Sequence, residues 1–146
     1  MEEEVEIHPT QADIEHVEAF LIDRYDVYVS FCYNDPSGFC EEDALITINS
    51  RQSLQNQLYT LLHEAGHYIL HRQADYKSMF PDMIRQPFKK RFSKASAVSV
   101  MSNEVMAWEE GRKLAKTLGI CIDSVKWNKL KTKSLYDYMK WGTGGL

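Results

Sequence analysis

Residues 54–71, LQNQLYTLLHEAGHYILH, place apolar side chains around most of the circumference of an α-helix. These side chains recur at intervals of three and four, and that spacing predicts a helix rather than a strand. A helix with so little polar surface is buried, so other parts of the chain must cover it on several sides. Ser50 or Ser53 is the predicted N-cap, because either hydroxyl can accept a hydrogen bond from the first helical turn. The apolar positions are Leu54, Leu58, Leu61, Leu62, Ala65, Ile69 and Leu70.

The sequence before this helix predicts another helix and two strands. Apolar residues recur at helical spacing from Thr10 to Asp23, directly after a proline, which is where helices commonly begin. Residues 27–33 and 44–50 are rich in β-branched and aromatic side chains and are separated by the turn-forming sequence NDPSG, so they predict two paired strands. The prediction for the whole chain is therefore an α+β fold, in which a short antiparallel sheet packs with about four helices.

The sequence after the buried helix predicts an irregular segment and two more helices. Residues from about 73 to 103 have no sustained period and contain prolines that break a helix, so they predict a long basic loop or insertion. Ser102 or Asn103 is predicted to cap the next helix, and Asp123 to begin a last helix that ends at about Trp141. Residues 142–146 are predicted to be a frayed tail.

Composition limits the size, the compartment and the partners. A chain of 146 residues with 44% hydrophobic and 26% charged residues can bury a core of its own, so residues 1–146 are predicted to form a single domain. A formal charge of −4 argues against a general nucleic-acid binder, and no direct binding to nucleic acid is expected.

The chain lacks an apolar run near the roughly 20 residues that span a bilayer, and MEEEVEIHPT is acidic, so we expect a cytoplasmic protein without a membrane partner. Cys32, Cys40 and Cys121 have no C-x-x-C spacing and predict free thiols.

His63, Glu64 and His67 form an H-E-x-x-H pattern inside the predicted buried helix. Residues four apart on a helix differ by about 40° in angle and about 6 Å along the axis, so both imidazoles can reach one metal ion. Glu64 is turned by about 100° from His63 and can reach a water at the open position of that ion. A carboxylate can take a proton from such a water and deliver it to a leaving amine. The pattern therefore predicts a Zn²⁺ site at His63 and His67, and amide hydrolysis with Glu64 as general base.

A catalytic zinc site has a third protein ligand, and Glu104 is the predicted one. It begins the next predicted helix and shares a face with the small residues Ala107 and Gly111, which would let two helices approach closely. Glu109 and Glu110 stay open as alternatives, although Glu109 lies about 140° from Glu104 around the helix.

Several polar side chains near the pattern have no role assigned by their spacing. Tyr59, Tyr68 and Tyr76 are close to it in sequence, and a tyrosine hydroxyl beside zinc can stabilise the oxyanion of a tetrahedral intermediate. Their spacing selects none of them. His71 continues the helix beyond His67 and is expected to lie behind the metal ligands or in solvent rather than to bind the metal.

These motifs resemble those of the ImmA/IrrE family of small zinc metallopeptidases. The strand sequence ITIN, the helix sequence YTLLHEAGHYILH and the later EVMA follow one another as in that family, and the resemblance covers about residues 44–118. It implies a small zincin-like domain whose active-site helix carries H-E-x-x-H. It also implies that His63, His67 and Glu104 bind zinc and that Glu64 is the catalytic base.

The resemblance further implies a kind of substrate. Family members that act as regulators cut a helix-turn-helix repressor, so we expect a zinc metalloendopeptidase that acts on a specific protein such as a transcriptional repressor. A second function stays open, in which the chain is a non-catalytic binding or regulatory module of the same fold. It would dock a protein partner through a basic cluster with interleaved phenylalanines. The cluster consists of Lys89, Lys90, Arg91 and Lys94.

Overall fold

The computed structural model describes residues 8–80 and 94–142, with the side chains of 94–96, 141 and 142 left out. Within these residues five helices and three strands follow one another along the chain. They are α1 (Gln11–Tyr25), β1 (Tyr28–Cys32), β2 (Gly38–Cys40), β3 (Leu45–Asn49), α2 (Leu54–His71), α3 (Tyr76–Met79), α4 (Lys94–Thr117) and α5 (Ser124–Gly142). The α+β class predicted from the sequence is confirmed.

Helix α1 has caps at both ends that the sequence explains. The Thr10 hydroxyl accepts a hydrogen bond from the Asp13 N–H, and the Asp13 carboxylate accepts one from the Thr10 N–H at 2.9 Å, which together form a capping box. At the other end Asp26 adopts a left-handed conformation with φ 57° and donates its N–H to Ile22. The buried face of α1, formed by Ile14, Val17 and Leu21, packs into the core.

The sheet is mixed, so the prediction of an antiparallel sheet was wrong for the pair formed by β1 and β3. The strand order is β1-β3-β2, with β1 parallel to β3 and β2 antiparallel to β3. The sequence prediction missed β2, because three residues that include a glycine carry too little alternation to indicate a strand. Since β2 and β3 form the hairpin, β1 occupies the opposite edge of β3. Ile46 and Ile48 of β3 point into the core.

Helices α2 and α4 make the most extensive contact between any two elements of the described structure. Helix α2 begins as predicted after Ser53, whose hydroxyl accepts a hydrogen bond from the Asn56 N–H at 3.2 Å. Gly66 of α2 faces the backbone of Ala107, and Gly111 of α4 faces the backbone of Leu62. The two backbones therefore meet where neither residue carries a side chain.

The start of α4 differs from the prediction. The helix begins at Lys94, so Ser102 and Asn103 lie inside it and do not cap it. Asn103 is buried, and its amide donates a hydrogen bond to the Tyr76 hydroxyl at 3.2 Å, so its polar side chain is satisfied by tertiary contact rather than by a helix end. The predicted loop over residues 73–103 is thus wrong at both ends, where α3 and the first turns of α4 lie. Its middle, residues 81–93, is outside the described residues.

The last two helices meet at a turn that the sequence predicts. Gly119 has φ 71°, a conformation that glycine adopts without strain, and the chain turns there after α4. The Asp123 carboxylate accepts hydrogen bonds from Val125 N–H at 3.0 Å and Lys126 N–H at 3.2 Å, so α5 begins where expected. Helix α5 includes Gly142, and the remainder of the predicted frayed tail is outside the described residues. In the described part of the chain, no helix has the length and apolar character needed to cross a membrane.

The contact between α2 and α4 makes Gly66→Ala a test of the packing. The added methyl group would meet the carbonyl group of Ala107, so we expect the free energy of unfolding to fall by about 1–3 kcal/mol. The better helix propensity of alanine, about 1 kcal/mol, offsets only part of that loss. Gly38→Ala is the matched control, because a Cβ there meets no atom within 4 Å. Urea unfolding measures both variants, and equal stability of the two would contradict this packing.

Candidate metal centre

The buried helix α2 brings two imidazoles to one carboxylate of α4. His63 Nε2 lies 2.9 Å from Glu104 Oε2, and His67 Nε2 lies 3.0 Å from Glu104 Oε1. The two histidines are one helical turn apart and their ring centroids are 4.6 Å apart. The spacing in α2 and the close approach of α4 therefore place three donor side chains around one point.

The three side chains have the chemistry of a zinc site. One ligand atom from each of His63, His67 and Glu104 lies within 4.8 Å of the other two, and this trio is the one such group of metal-binding side chains in the described residues. Two imidazoles and one carboxylate are a common ligand set of catalytic zinc, which leaves a fourth position for water or substrate. Glu104 is only 5% exposed, so its charge requires a cation or hydrogen-bond donors in the protein interior. The residues present fit a divalent metal ion.

The carboxylate and the imidazoles of this group shift one another's pKa values. Burial raises the pKa of Glu104, but the hydrogen bonds from His63 and His67, together with their charges, outweigh burial and lower it to about 2. Burial lowers the pKa of His67, but the hydrogen bond and the charge of Glu104 outweigh it, and the pKa of His67 is raised. Glu104 is thus an anion at neutral pH, as a metal ligand must be.

Glu64 lies beside the trio and does not belong to it. Its carboxylate oxygen Oε1 is 3.7 Å from His63 Nδ1, on the side of that ring away from Glu104. Glu64 is 9% exposed, and burial is the largest cause of its raised pKa, with the charge of Glu104 acting in the same direction. A buried carboxylate with a raised pKa next to a metal group is suited to accept and release a proton.

The two alternative third ligands lie elsewhere on α4. Glu109 lines a different cleft, together with Trp108 and Arg112. Glu110 forms an ion pair with Lys113 at 3.3 Å. The structure therefore brings Glu104 to the histidines and leaves both alternatives away from them.

Aromatic packing supports the imidazole of His63. The Trp108 indole stacks on it with ring centroids 4.1 Å apart and an interplanar angle of 7°. The edge of this stack meets Trp127 of α5, and Trp127 in turn packs against Tyr59. The sequence alone predicts no such role for Trp108, because its contact with His63 exists only once α4 lies across α2.

A cleft of about 350 Å³ opens onto this group. Glu64, His67 and Glu104 line it, together with residues 37–39 at the start of β2 and Tyr138 of α5. No motif or spacing in the sequence connects Tyr138, near the end of the chain, with the H-E-x-x-H helix, so it was not predicted as a site residue. Only the folding back of α5 brings it to the cleft.

The tyrosines near the pattern in sequence have different surroundings. Tyr59 accepts a hydrogen bond from the Asp123 N–H at 3.0 Å, and Tyr68 accepts one from Arg72 at 3.1 Å. Both rings are buried in the core. Tyr76 lines the cleft and accepts its hydrogen bond from Asn103. Of the three, only Tyr76 therefore faces the site.

His71 lines the cleft and is not one of the three clustered ligands. Its Nδ1 is 2.9 Å from a carboxylate oxygen of Glu41, in the turn between β2 and β3. The pair links the end of α2 to the sheet. The basic cluster Lys89, Lys90 and Arg91 is outside the described residues, as is the side chain of Lys94.

Comparison with known proteins agrees with the geometry. The family model described as Peptidase_M78, IrrE N-terminal-like domain, matches residues 23–117, which include β1 through α4 and all four residues of the candidate site. No significant match was found among curated proteins or among solved structures. Helix α5, with Tyr138, follows the matched segment.

The shifted pKa values predict how the stability of the metal-free protein depends on pH. The lowered pKa of Glu104 contributes stability that is present above its ordinary value of 4.5 and is lost as the pH falls towards about 2. The raised pKa of His67 contributes stability that is present below its ordinary value of 6.5 and is lost as the pH rises through the folded-state value. The pair therefore stabilises most between pH 4.5 and 6.5.

Urea unfolding of the chelator-treated protein at a series of pH values measures this dependence. In Glu104→Gln the stability maximum between pH 4.5 and 6.5 should be reduced, because the charged partner of His67 is gone. Glu109→Gln is the control and should keep the wild-type profile. An unchanged profile in Glu104→Gln would rule out the pairing.

Proposed function

The chain belongs to the family of IrrE N-terminal-like domains, Peptidase_M78, and is a metallopeptidase; from this we propose that it is a zinc-dependent endopeptidase acting on a specific protein substrate. The observation that carries the proposal is the convergence of His63, His67 and Glu104 beside the separate carboxylate of Glu64. Three ligands and a neighbouring base are the parts that metal-assisted amide hydrolysis requires.

In this proposal His63, His67 and Glu104 hold the ion. Bound zinc supplies a Lewis acid and lowers the pKa of water from about 15.7 towards about 7. The protein keeps the ligands in place through the α2–α4 contact and through the stacking of Trp108 on His63, whose rings are 4.1 Å apart. Zinc is the proposed ion because two imidazoles and one carboxylate are a ligand set that it commonly adopts.

Glu64 is the proposed general base. Its carboxylate takes a proton from the attacking water and later delivers that proton to the nitrogen of the leaving amine. Its raised pKa supports both halves of this role, since a carboxylate that holds a proton more tightly is a better base and can still release it.

The proposed substrate is a protein segment in extended conformation. Strand β2 lies at the edge of the sheet, and Ser37–Phe39 line the same cleft as Glu64. An extended segment that pairs with this edge would pass the metal centre. The sequence resemblance favours a transcriptional repressor of the helix-turn-helix class as that substrate. The proposed compartment is the cytoplasm, in agreement with the three free cysteines Cys32, Cys40 and Cys121.

Removal of the proposed base should separate catalysis from metal binding. We expect Glu64→Gln to retain about one zinc per chain and to lose at least about 100-fold in cleavage rate, because the amide cannot take the proton. His63→Ala should lose both zinc and cleavage, and Glu109→Gln should keep both. Elemental analysis gives the zinc content, and peptide cleavage is followed with a pool of quenched fluorescent peptides.

Three results would count against the proposed function. Cleavage by Glu64→Gln at the wild-type rate would exclude Glu64 as the base. Retention of zinc in His63→Ala would exclude the proposed ligand set. A wild-type protein that binds zinc but cleaves no peptide would favour the alternative of a binding module that retains the fold.

A further inference from the structure

Tyr138 comes to the metal centre from outside the segment that the family model matches. It lies on α5, whereas the match ends at residue 117, where α4 ends. Its ring is half-buried, it lines the cleft with Glu64, His67 and Glu104, and its side chain interacts with Glu104. A phenol near a charged ligand and a proton-transferring carboxylate occupies a position where the chemistry of hydrolysis takes place.

The other tyrosines of α2 and α3 are less suited to act on a substrate. The hydroxyls of Tyr59 and Tyr68 are engaged with Asp123 and Arg72 in the core. The Tyr76 hydroxyl accepts a hydrogen bond from Asn103, and its ring packs on His71 with ring centroids 4.5 Å apart. Tyr76 and Tyr138 both line the cleft, and the Tyr138 side chain interacts with Glu104 itself.

The hydrolysis of an amide creates a need for a donor at this position. When water adds to the carbonyl carbon, the π electrons of the C=O bond move to the oxygen, which becomes an oxyanion. Pre-positioned hydrogen-bond donors stabilise such an oxygen more in the transition state than in the ground state. The side chains already assigned do not provide one, since Glu64 is occupied with proton transfer and Glu104 is an acceptor.

We propose that Tyr138 is a further catalytic residue, whose phenolic O–H donates a hydrogen bond to the oxyanion of the tetrahedral intermediate. The phenol exchanges its Glu104 partner for the substrate oxygen and keeps its own proton. When the intermediate collapses, the C=O bond reforms, the C–N bond breaks, and the leaving nitrogen receives the proton that Glu64 took from water. Atoms and charges balance without any contribution from Tyr138 beyond the hydrogen bond.

This inference rests on the proposed peptidase function, and Tyr138→Phe tests it. Removal of the hydroxyl should lower kcat for the quenched fluorescent peptide pool by about 100- to 1,000-fold, as the loss of one oxyanion donor does elsewhere. KM should change little, because the hydrogen bond forms mainly in the transition state. The matched control is Tyr136→Phe, on the same helix, since Tyr136 is 52% exposed and does not line the cleft.

A binding measurement gives a readout that does not depend on turnover. A phosphinic peptide carries a tetrahedral anionic group that resembles the intermediate, so Tyr138→Phe loaded with zinc should bind it about 10-fold or more weakly than wild type. Calorimetry measures this affinity for wild type, Tyr138→Phe and Tyr136→Phe. All three should bind about one zinc per chain.

The outcomes separate this inference from the proposed function. If wild type cleaves the peptides and Tyr138→Phe cleaves them equally fast, Tyr138 is not catalytic while the peptidase function stands. If Tyr138→Phe loses zinc, Tyr138 positions Glu104 instead and the oxyanion role is wrong. If wild type neither binds zinc nor cleaves, the proposed function fails and this inference fails with it.

Discussion

The close contact between α2 and α4 is the constraint on which the candidate site depends. Gly66 and Gly111 leave no side chain between the two backbones, so α4 lies directly across the helix that carries the histidines. This close approach brings the Glu104 carboxylate oxygens within 2.9 Å of His63 Nε2 and 3.0 Å of His67 Nε2. A buried anion between two imidazoles is costly in the absence of compensating charge, and a divalent ion bound by all three side chains would compensate it.

A second layer of packing connects this contact with the end of the chain. Trp108 stacks on His63 and also meets Trp127 of α5, and the first turn of α5 is tied to α2 through the hydrogen bond from the Asp123 N–H to Tyr59. The same aromatic contacts that support the imidazole therefore fix the position of α5. Through α5 they also place Tyr138 at the cleft, so the helix beyond the matched family segment becomes part of the site.

The sequence predicted the parts of this arrangement that depend on local pattern. The helical period and the i, i+4 spacing of His63 and His67 define a candidate metal-binding face without knowledge of the fold. The small residue Gly111 indicated a close helix contact and thus favoured Glu104 over Glu109.

The features that the sequence did not predict correctly depend on tertiary contacts. Asparagine often caps helices, but Asn103 lies inside α4 and donates a hydrogen bond to Tyr76. Strand β2 is too short to show an alternating pattern. Tyr138 and the parallel pairing of β1 required the folded chain.

The most direct test of the account is a crystal structure of the zinc-loaded protein with anomalous diffraction data at the zinc edge. The account predicts one anomalous peak between α2 and α4, bound by Nε2 of His63, Nε2 of His67 and a carboxylate oxygen of Glu104, with Glu64 outside the ligand set. Zinc bound at another place, or bound between the histidines without Glu104, would contradict it. So would a separation of α2 from α4 that removes Glu104 from the histidines.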